Sequence, residues 1–373
     1  MAKCYGCGIK LQYEDENKAG YVPFEVINSS DKIYCKRCFQ IIHNGKKYVP
    51  SIDSNNYYEK IKVIGESKAL VILILDVMDI FGGFIPNLSK YIGKAKVLLV
   101  INKVDVLPKD VHLKKIEECV KKIALDNDLN VIGVSLISAK NKKNVKGVID
   151  KIYNYKEYLG YKRVSIKNTY VVGCASVGKS TFINAVKELY LNDHDLLTTS
   201  DQFQTTMDFI KIPLDKDHFL IDTPGLINYS SFGAYLDYES IKVLTPKSYI
   251  KPRTYQLNGD QTIFLGGLVR IDFISDEKIN ASFYVSNDLY LHRTKTVNAD
   301  NLYETQVTRL LTPPSVIEAP NLKNLKKIAF VSDDGSKELL ISGIGFVHIS
   351  GKSVTLRVIV NENIEVKMVE SFI

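Results

Sequence analysis

Gly173-Cys174-Ala175-Ser176-Val177-Gly178-Lys179-Ser180 meets the pattern G-x-x-x-x-G-K-[ST] at every fixed position. No other stretch constrains the chain as much, because such a loop works only where a strand ends and a helix begins. Tyr170, Val171 and Val172 read as the end of a strand, and Thr181 to Val186 as an opening helix. Glycines at 173 and 178 let the backbone curl so that its N–H groups face phosphate oxygens, and the helix N-terminus adds positive dipole. Gly173, Ser176, Val177, Gly178 and Thr181 are therefore expected to line a nucleotide's phosphates. Lys179 is expected to reach the β- and γ-phosphates, and Ser180 to offer its hydroxyl to Mg²⁺, a hard cation that prefers oxygen. A glycine-rich turn before an ordinary helix is the bland alternative, and the full eight-residue match disfavours it.

The base is specified upstream. The apolar run Val97 to Ile101 enters Asn102-Lys103-Val104-Asp105, the N-K-x-D guanine reader of GTPases. The Asp105 carboxylate can accept from both the ring N–H and the exocyclic amine of guanine, a charge-assisted pair that adenine cannot offer. Leaving that carboxylate unpaired costs about 1–3 kcal/mol, enough to select GTP over ATP. Asn102 is expected to brace the loop and the stem of Lys103 to lie over the ring. A second apolar strand, Val131 to Ile137, ends in Ser138-Ala139-Lys140, the S-A-K element that contacts the guanine carbonyl. Downstream, His218 to Ile221 leads into Asp222-Thr223-Pro224-Gly225, a D-x-x-G element. Asp222 is expected to hold Mg²⁺ through water and the Gly225 amide to sense the γ-phosphate. Between the two lies Gln204-Thr205-Thr206-Met207-Asp208, in which Thr206 reads as the switch threonine that closes over Mg²⁺. A plain β-edge is the alternative there.

The order of these elements is N-K-x-D, S-A-K, phosphate loop, switch threonine, D-x-x-G, a circular permutation of the usual GTPase order. Lys68 to Asp76 supplies the strand that would otherwise be missing. The expected fold class is α/β: a circularly permuted P-loop GTPase domain over 51-244, preceded by a finger over 1-50 and followed by a β-rich α+β domain over 245-373. In that last part strands alternate with tight turns, at 286–288, 333–335 and 361–363.

Cys4-x-x-Cys7 and Cys35-x-x-Cys38 make two knuckles whose thiolates suit a closed tetrahedral Zn²⁺ site; two disulfides are the alternative, disfavoured in the reducing cytoplasm. The N-terminus carries no apolar signal core and no run is long enough to span a membrane, which places the chain in the cytoplasm with no membrane partner. The net charge is +7, with 18 basic against 10 acidic side chains over residues 69–168. Lys140, Lys142, Lys143, Lys146, Lys151, Lys156, Lys162, Arg163 and Lys167 read equally as an RNA phosphate footprint or as a solvated helix face.

The permuted motifs, the cysteine knuckles, and the stretches Phe264 to Leu268, His292 to Lys295 and Ser342 to Gly345 together resemble the circularly permuted GTPases of the YqeH type. The resemblance covers nearly the whole chain. It implies GTP binding and hydrolysis, with GTP/GDP, Mg²⁺ and Zn²⁺ as cofactors. It also implies a role in assembling the small (30S) ribosomal subunit, with that subunit, its rRNA and further ribosomal proteins as partners. One place departs from many small GTPases: Leu226 stands where Gln orients the attacking water, so a slow intrinsic rate is expected. Relatives lacking this Gln often carry Asn at the place of Ser176, where it helps hold an activating potassium ion (K⁺); Ser is shorter, which argues against potassium activation. Two readings remain open, a GTP hydrolase that leaves an immature subunit on turnover, and a GTP-gated RNA-binding module in which hydrolysis is secondary.

Overall fold

A computed structural model describes residues 11–14, 20–26, 33, 54–67, 69–161, 166–190, 210–332 and 335–373. The chain divides into two compact units, Met1–Ser51 and Ile52–Ile373. Within the first, the Gln12 N–H donates to the Gly20 carbonyl and the Val22 N–H to that of Gln12. Among the described residues no helix is long and apolar enough to cross a membrane.

The second unit begins with helix α1 (Ser54–Glu66) and a six-stranded sheet. Its strands are β1 (Leu70–Asp76), β2 (Lys96–Asn102), β3 (Asn130–Leu136), β4 (Asn168–Val172), β5 (Ile210–Pro213) and β6 (Phe219–Asp222), in the order β3-β2-β1-β4-β6-β5. All pairs are parallel except β5 with β6. Parallel strands covered on both faces must be apolar throughout. In β1 every residue but the last is buried, and β2 is buried from Val97 to Asn102. Helices α2 (Ile80–Gly83), α3 (Leu88–Ile92), α4 (Leu113–Asp126), α5 (Val145–Tyr161) and α6 (Lys179–Tyr190) connect the strands. Helix α4 shows why: Ile116, Val120, Ile123 and Ala124 form a stripe that recurs at helical spacing, and all four are buried. Because β1, β2, β4 and β6 point the same way, the loops after them gather at one edge, where open α/β sheets place their ligands. The strand pairing is indifferent to where the chain starts, so the permuted order leaves this edge intact.

After α7 (Tyr238–Leu244) the chain builds two five-stranded antiparallel sheets. The strands are β7 (Arg253–Leu257), β8 (Gln261–Leu265), β9 (Val269–Ile274), β10 (Ile279–Val285), β11 (Leu291–Lys295), β12 (Leu325–Ser332), β13 (Ser336–Ile341), β14 (Gly345–Ser350), β15 (Val354–Asn361) and β16 (Val366–Glu370). One sheet runs β16-β13-β14-β10-β7 and the other β11-β8-β9-β15-β12. Ile271, Phe273, Leu356 and Val358 of one and Ile279, Phe283, Leu339 and Val347 of the other share a single apolar cluster, so the sheets pack face to face. One helix, α8 (Thr296–Gln306), covers Phe264 on the outer face of the second sheet through Ala299, Leu302 and Tyr303.

The sandwich meets the first sheet along two seams. At one, Phe372, Phe346, Tyr284, Leu340 and Ile250 join the apolar cluster of the six-stranded sheet. There the His112 N–H donates to the Phe372 carbonyl (2.9 Å), and the Tyr284 hydroxyl to Asp110 (2.6 Å). The Ile250 N–H donates to the Val106 carbonyl (2.8 Å). At the other seam the turn Ser342 to Gly345 lies against α2 and the segment after Gly225.

Candidate nucleotide site

Four loops converge on the carboxyl edge of the six-stranded sheet. The loop from β4 into α6 carries Gly173 at φ +157° and Gly178 at φ +97°. A Cβ at 173 would sit 2.6 Å from the Ile74 carbonyl oxygen of β1, and one at 178 would sit 2.3 Å from the Asn102 amide nitrogen. Both positions are thus closed to any side chain by backbone conformation and by contact. Ser176 takes φ +67° at the exposed tip, and Val177 is buried beneath it. Lys179 is buried, and its ammonium donates to the Gly173 (2.8 Å) and Cys174 (3.0 Å) carbonyls. Burial pushes that ammonium's pKa down, while Asp222 and Cys174 push it back up. Ser180 and Thr181 are exposed on the first turn of α6.

Asn102 joins three of the motifs. Its Nδ2 donates to the Val177 carbonyl (2.9 Å) and its Oδ1 accepts from the Ala139 N–H (2.9 Å). One buried amide therefore fixes the phosphate loop and the S-A-K loop to the end of β2. Ser138 is fully buried; it exchanges two backbone bonds with Lys143 (3.1 and 3.0 Å) and its Oγ accepts from the Asn141 N–H (3.1 Å). Lys140 is exposed at the loop tip. Lys103 has φ +68°, and its ammonium pairs with Asp76 at the end of β1. Asp105 is half-buried in the 3-10 turn Val104–Val106. Among the described residues nothing donates to its carboxylate.

Asp222 ends β6. Its Oδ1 is buried and has no partner among the described residues. Burial pushes the carboxyl up to about 6, against the pull of Lys179 and Lys187. A buried carboxylate oxygen with nothing to accept from is costly. The oxygens of Asp222 and of the exposed Ser180 hydroxyl are of the kind that fits Mg²⁺, which takes few protein oxygens and keeps its waters. Gly225 lies close to Lys179, since a Cβ there would be 3.0 Å from Nζ and 3.2 Å from the Ala175 Cα. Leu226 is buried in the apolar core; its carbonyl accepts from the Ala175 N–H (2.8 Å) and its N–H donates to the Gly173 carbonyl (3.4 Å). The D-x-x-G loop is thus zipped to the phosphate loop, with the side chain at the expected glutamine place turned inward.

Thr206 lies outside the described residues, as do Cys4, Cys7, Cys35 and Cys38. Among the described residues no group of three or more His, Cys, Asp or Glu could hold a metal ion. The basic stretch is thinner than its sequence count. Lys142 pairs with Glu188 and Lys156 with Asp215, and the Lys151 ammonium donates to the Val134 carbonyl and the Ser135 hydroxyl. Lys162 and Arg163 lie outside the described residues, whereas Lys140, Lys143, Lys146 and Lys167 are exposed. Sequence reasoning passed over Asp76 and Asp79. Their signal was an acid at each end of the four residues that follow an apolar run.

The family description "YqeH-like, C-terminal" matches residues 278–372, and "50S ribosome-binding GTPase" matches residues 168–250. The Bacillus subtilis (strain 168) protein named "Uncharacterized protein YqeH" is 37% identical over 354 residues, covering 94% of each chain. The chain belongs to the YqeH family. As a YqeH-family protein with this domain it is a GTPase, circularly permuted, that works on GTP with Mg²⁺. The "NO-associated protein 1, chloroplastic/mitochondrial" of Arabidopsis thaliana is 28% identical over 399 residues, covering 93% of this chain and 69% of that one. The crystal structure of YjeQ from Thermotoga maritima is similar over 43% of this chain and 49% of that one, at 21% identity and a TM-score of 0.26, too little to argue from.

Proposed function

We propose that this YqeH-family GTPase serves assembly of the small (30S) ribosomal subunit, and that its nucleotide state controls association through the sandwich. The observation that carries the reading is the wiring of the switch. The chain leaves Gly225 and within a few residues is bonded to the sandwich: the Glu365 N–H donates to the Ser230 carbonyl (2.9 Å) and the Phe232 N–H to that of Ser342 (3.3 Å). Lys179 holds the β- and γ-phosphates, Asp105 reads guanine, and the Gly225 amide and Thr206 meet the γ-phosphate. Ser180 would hold Mg²⁺ directly and Asp222 through water, with Thr206 closing over it, and the ion would neutralise charge developing on the phosphate oxygens. Cleaving the γ-phosphate removes what Gly225 and Thr206 close upon and frees the segment that leads to the sandwich.

The small subunit enters from the YqeH resemblance, whereas the description matching residues 168–250 speaks of 50S binding. Co-sedimentation of full-length protein with purified small and large subunits, under GTP analogue, GDP and no nucleotide, separates the two. The expected result is small-subunit binding that differs between analogue and GDP. Equal binding in both states, or a preference for the large subunit, overturns the proposal.

The buried Leu226 favours a second reading, a GTP-gated RNA-binding module whose hydrolysis is secondary, because no side chain at that place can orient water. Turnover with and without small subunits decides, since only the first reading expects stimulation. Cys4, Cys7, Cys35 and Cys38 are proposed to hold one Zn²⁺ in the finger, which metal analysis of protein purified without added zinc would read as about one ion per chain.

A further inference from the structure

Helix α2 is four residues long, yet with its N-cap it touches the phosphate loop, the segment after Gly225 and the sandwich. Asp79, its N-cap, is half-buried and accepts three hydrogen bonds from three directions. Its Oδ1 accepts from the Gly82 N–H (3.0 Å) and the Ser342 hydroxyl (2.7 Å), and its Oδ2 from the Ser231 hydroxyl (2.8 Å). Ser231 stands six residues after Gly225, and Ser342 opens the sandwich turn. The amide of Asn228 donates to the Gly82 carbonyl, and the Cys174 thiol of the phosphate loop lies 3.6 Å from the Gly83 carbonyl. From the sandwich, the Lys367 ammonium lies 4.4 Å from the centre of the Phe81 ring. The approach is close enough to require glycine: a Cβ at Gly82 would fall 2.1 Å from the Ser342 hydroxyl oxygen, and one at Gly343 would fall 2.6 Å from that of Ser231.

We infer that Asp79 is a positioning residue for GTP hydrolysis, acting through Ser231 and Ser342 to hold the Gly225–Leu226 loop against the phosphate loop and to bind that loop to the sandwich. Asp79, Ser231 and Ser342 belong to none of the motifs expected to bind the nucleotide. The Gly225–Leu226 loop is anchored on one side by the phosphate loop, through Ala175 and Gly173, and on the other by Asn228 and Ser231 on α2. Removing the second anchor lets the Gly225 amide leave the place where the γ-phosphate lands, while Asn102, Asp105 and Lys179 stay as they are. The cost should fall on the chemical step rather than on nucleotide binding.

The test is steady-state GTP hydrolysis by full-length protein without ribosomal subunits, comparing Asp79→Ala, Asp79→Asn, Ser342→Ala and wild type. Asp79→Ala and Ser342→Ala are expected to lower kcat about three- to tenfold with KM for GTP within twofold. Asp79→Asn keeps the shape and two acceptor sites, so it should recover most of kcat. Hydrogen exchange of the 342–345 amides should slow on adding a GTP analogue in wild type and Asp79→Asn but not in Asp79→Ala. Ser342→Ala is the milder change and guards against loss of fold in Asp79→Ala. Unchanged kcat in a folded Ser342→Ala overturns the inference, as does a fall in kcat that tracks a rise in KM or a loss of thermal stability without the nucleotide-dependent exchange.

Discussion

Asn102 carries more of the site than its place in a base-reading motif suggests, because its amide bonds two loops that are far apart in sequence. The residues proposed to touch nucleotide, Lys179, Ser180, Asp105 and Asp222, can be named from sequence because phosphate, guanine and Mg²⁺ dictate the spacing of their motifs. Bonds among the loops were not, since any amide or hydroxyl of suitable reach could make them. Asn102→Ala should therefore weaken GTP and GDP alike by at least tenfold, as both loops lose their tie and leave buried groups unpaired; fluorescent-nucleotide titration checks it. Asp105→Asn should move preference from GTP to xanthosine triphosphate, because an amide can donate to the xanthine carbonyl that replaces the amine. A competition assay in which that variant still prefers GTP would show that Asp105 does not read the base. Leu226 is the opposite kind of position. Its side chain is packed in the core, so Leu226→Gln buries an amide, at about 1–3 kcal/mol of stability, and does not raise turnover. Urea denaturation and a GTPase assay on that variant check both halves.

At the scale of elements, the strands and helices of the six-stranded sheet followed from their apolar runs, and the sandwich did not follow as readily. Turn residues at 286–288, 333–335 and 361–363 mark where strands end, but the strands they join pair in different sheets: β10 and β11, β12 and β13, β15 and β16. The hairpins that do close, β8 with β9 and β13 with β14, lie at other turns. A turn motif reports local backbone, whereas the choice of partner strand is made by burial across the whole core. Helix α2 was illegible for a related reason, being too short to show a period. Its N-cap gives a pH signature. Burial pushes the Asp79 carboxyl from 3.8 up to about 6, with Asp76 adding to the rise and the Ser342, Ser231 and Gly343 donors opposing it. Between about pH 4 and pH 6 the folded state holds a proton that the unfolded chain has released. Asp79 thus favours folding most below that window and loses its contribution as pH rises through it. Stability measured by urea at steps across the window should fall more steeply in wild type than in Asp79→Asn, and parallel curves would contradict this assignment.

For the whole molecule, the two seams decide whether the GTPase sheet and the sandwich behave as one body. Phe372 packs edge-on to Phe346 (4.9 Å between ring centres), Phe346 stacks on Tyr284 (4.7 Å), and all three lie in the same apolar cluster as β1 and β2. The polar bonds of that seam land on residues 106–112, just after the guanine reader, while the other seam lands on the segment after Gly225. The sandwich is therefore bonded both beside the loop proposed to read the base and beside the loop proposed to meet the γ-phosphate. A cut near Lys251 would strip apolar surface from the GTPase core, so guanine binding need not survive it, and point changes at the seam are the cleaner probe. Residues 52–373 should unfold in one transition, since parting the two bodies would expose Phe372, Phe346, Tyr284 and the apolar surface of the sheet beneath them. The chain contains no tryptophan, so Tyr290→Trp, half-exposed in the sandwich, gives a clean reporter there, and release of a fluorescent GDP analogue reports on the site. The two urea curves should coincide, and Phe372→Ala should shift both together by an amount equal to about 3–5 kcal/mol. Separate midpoints, or a Phe372→Ala change that moves only the tryptophan curve, would mean that the sandwich rides on the GTPase sheet as an independent body and that nucleotide cannot act through its core.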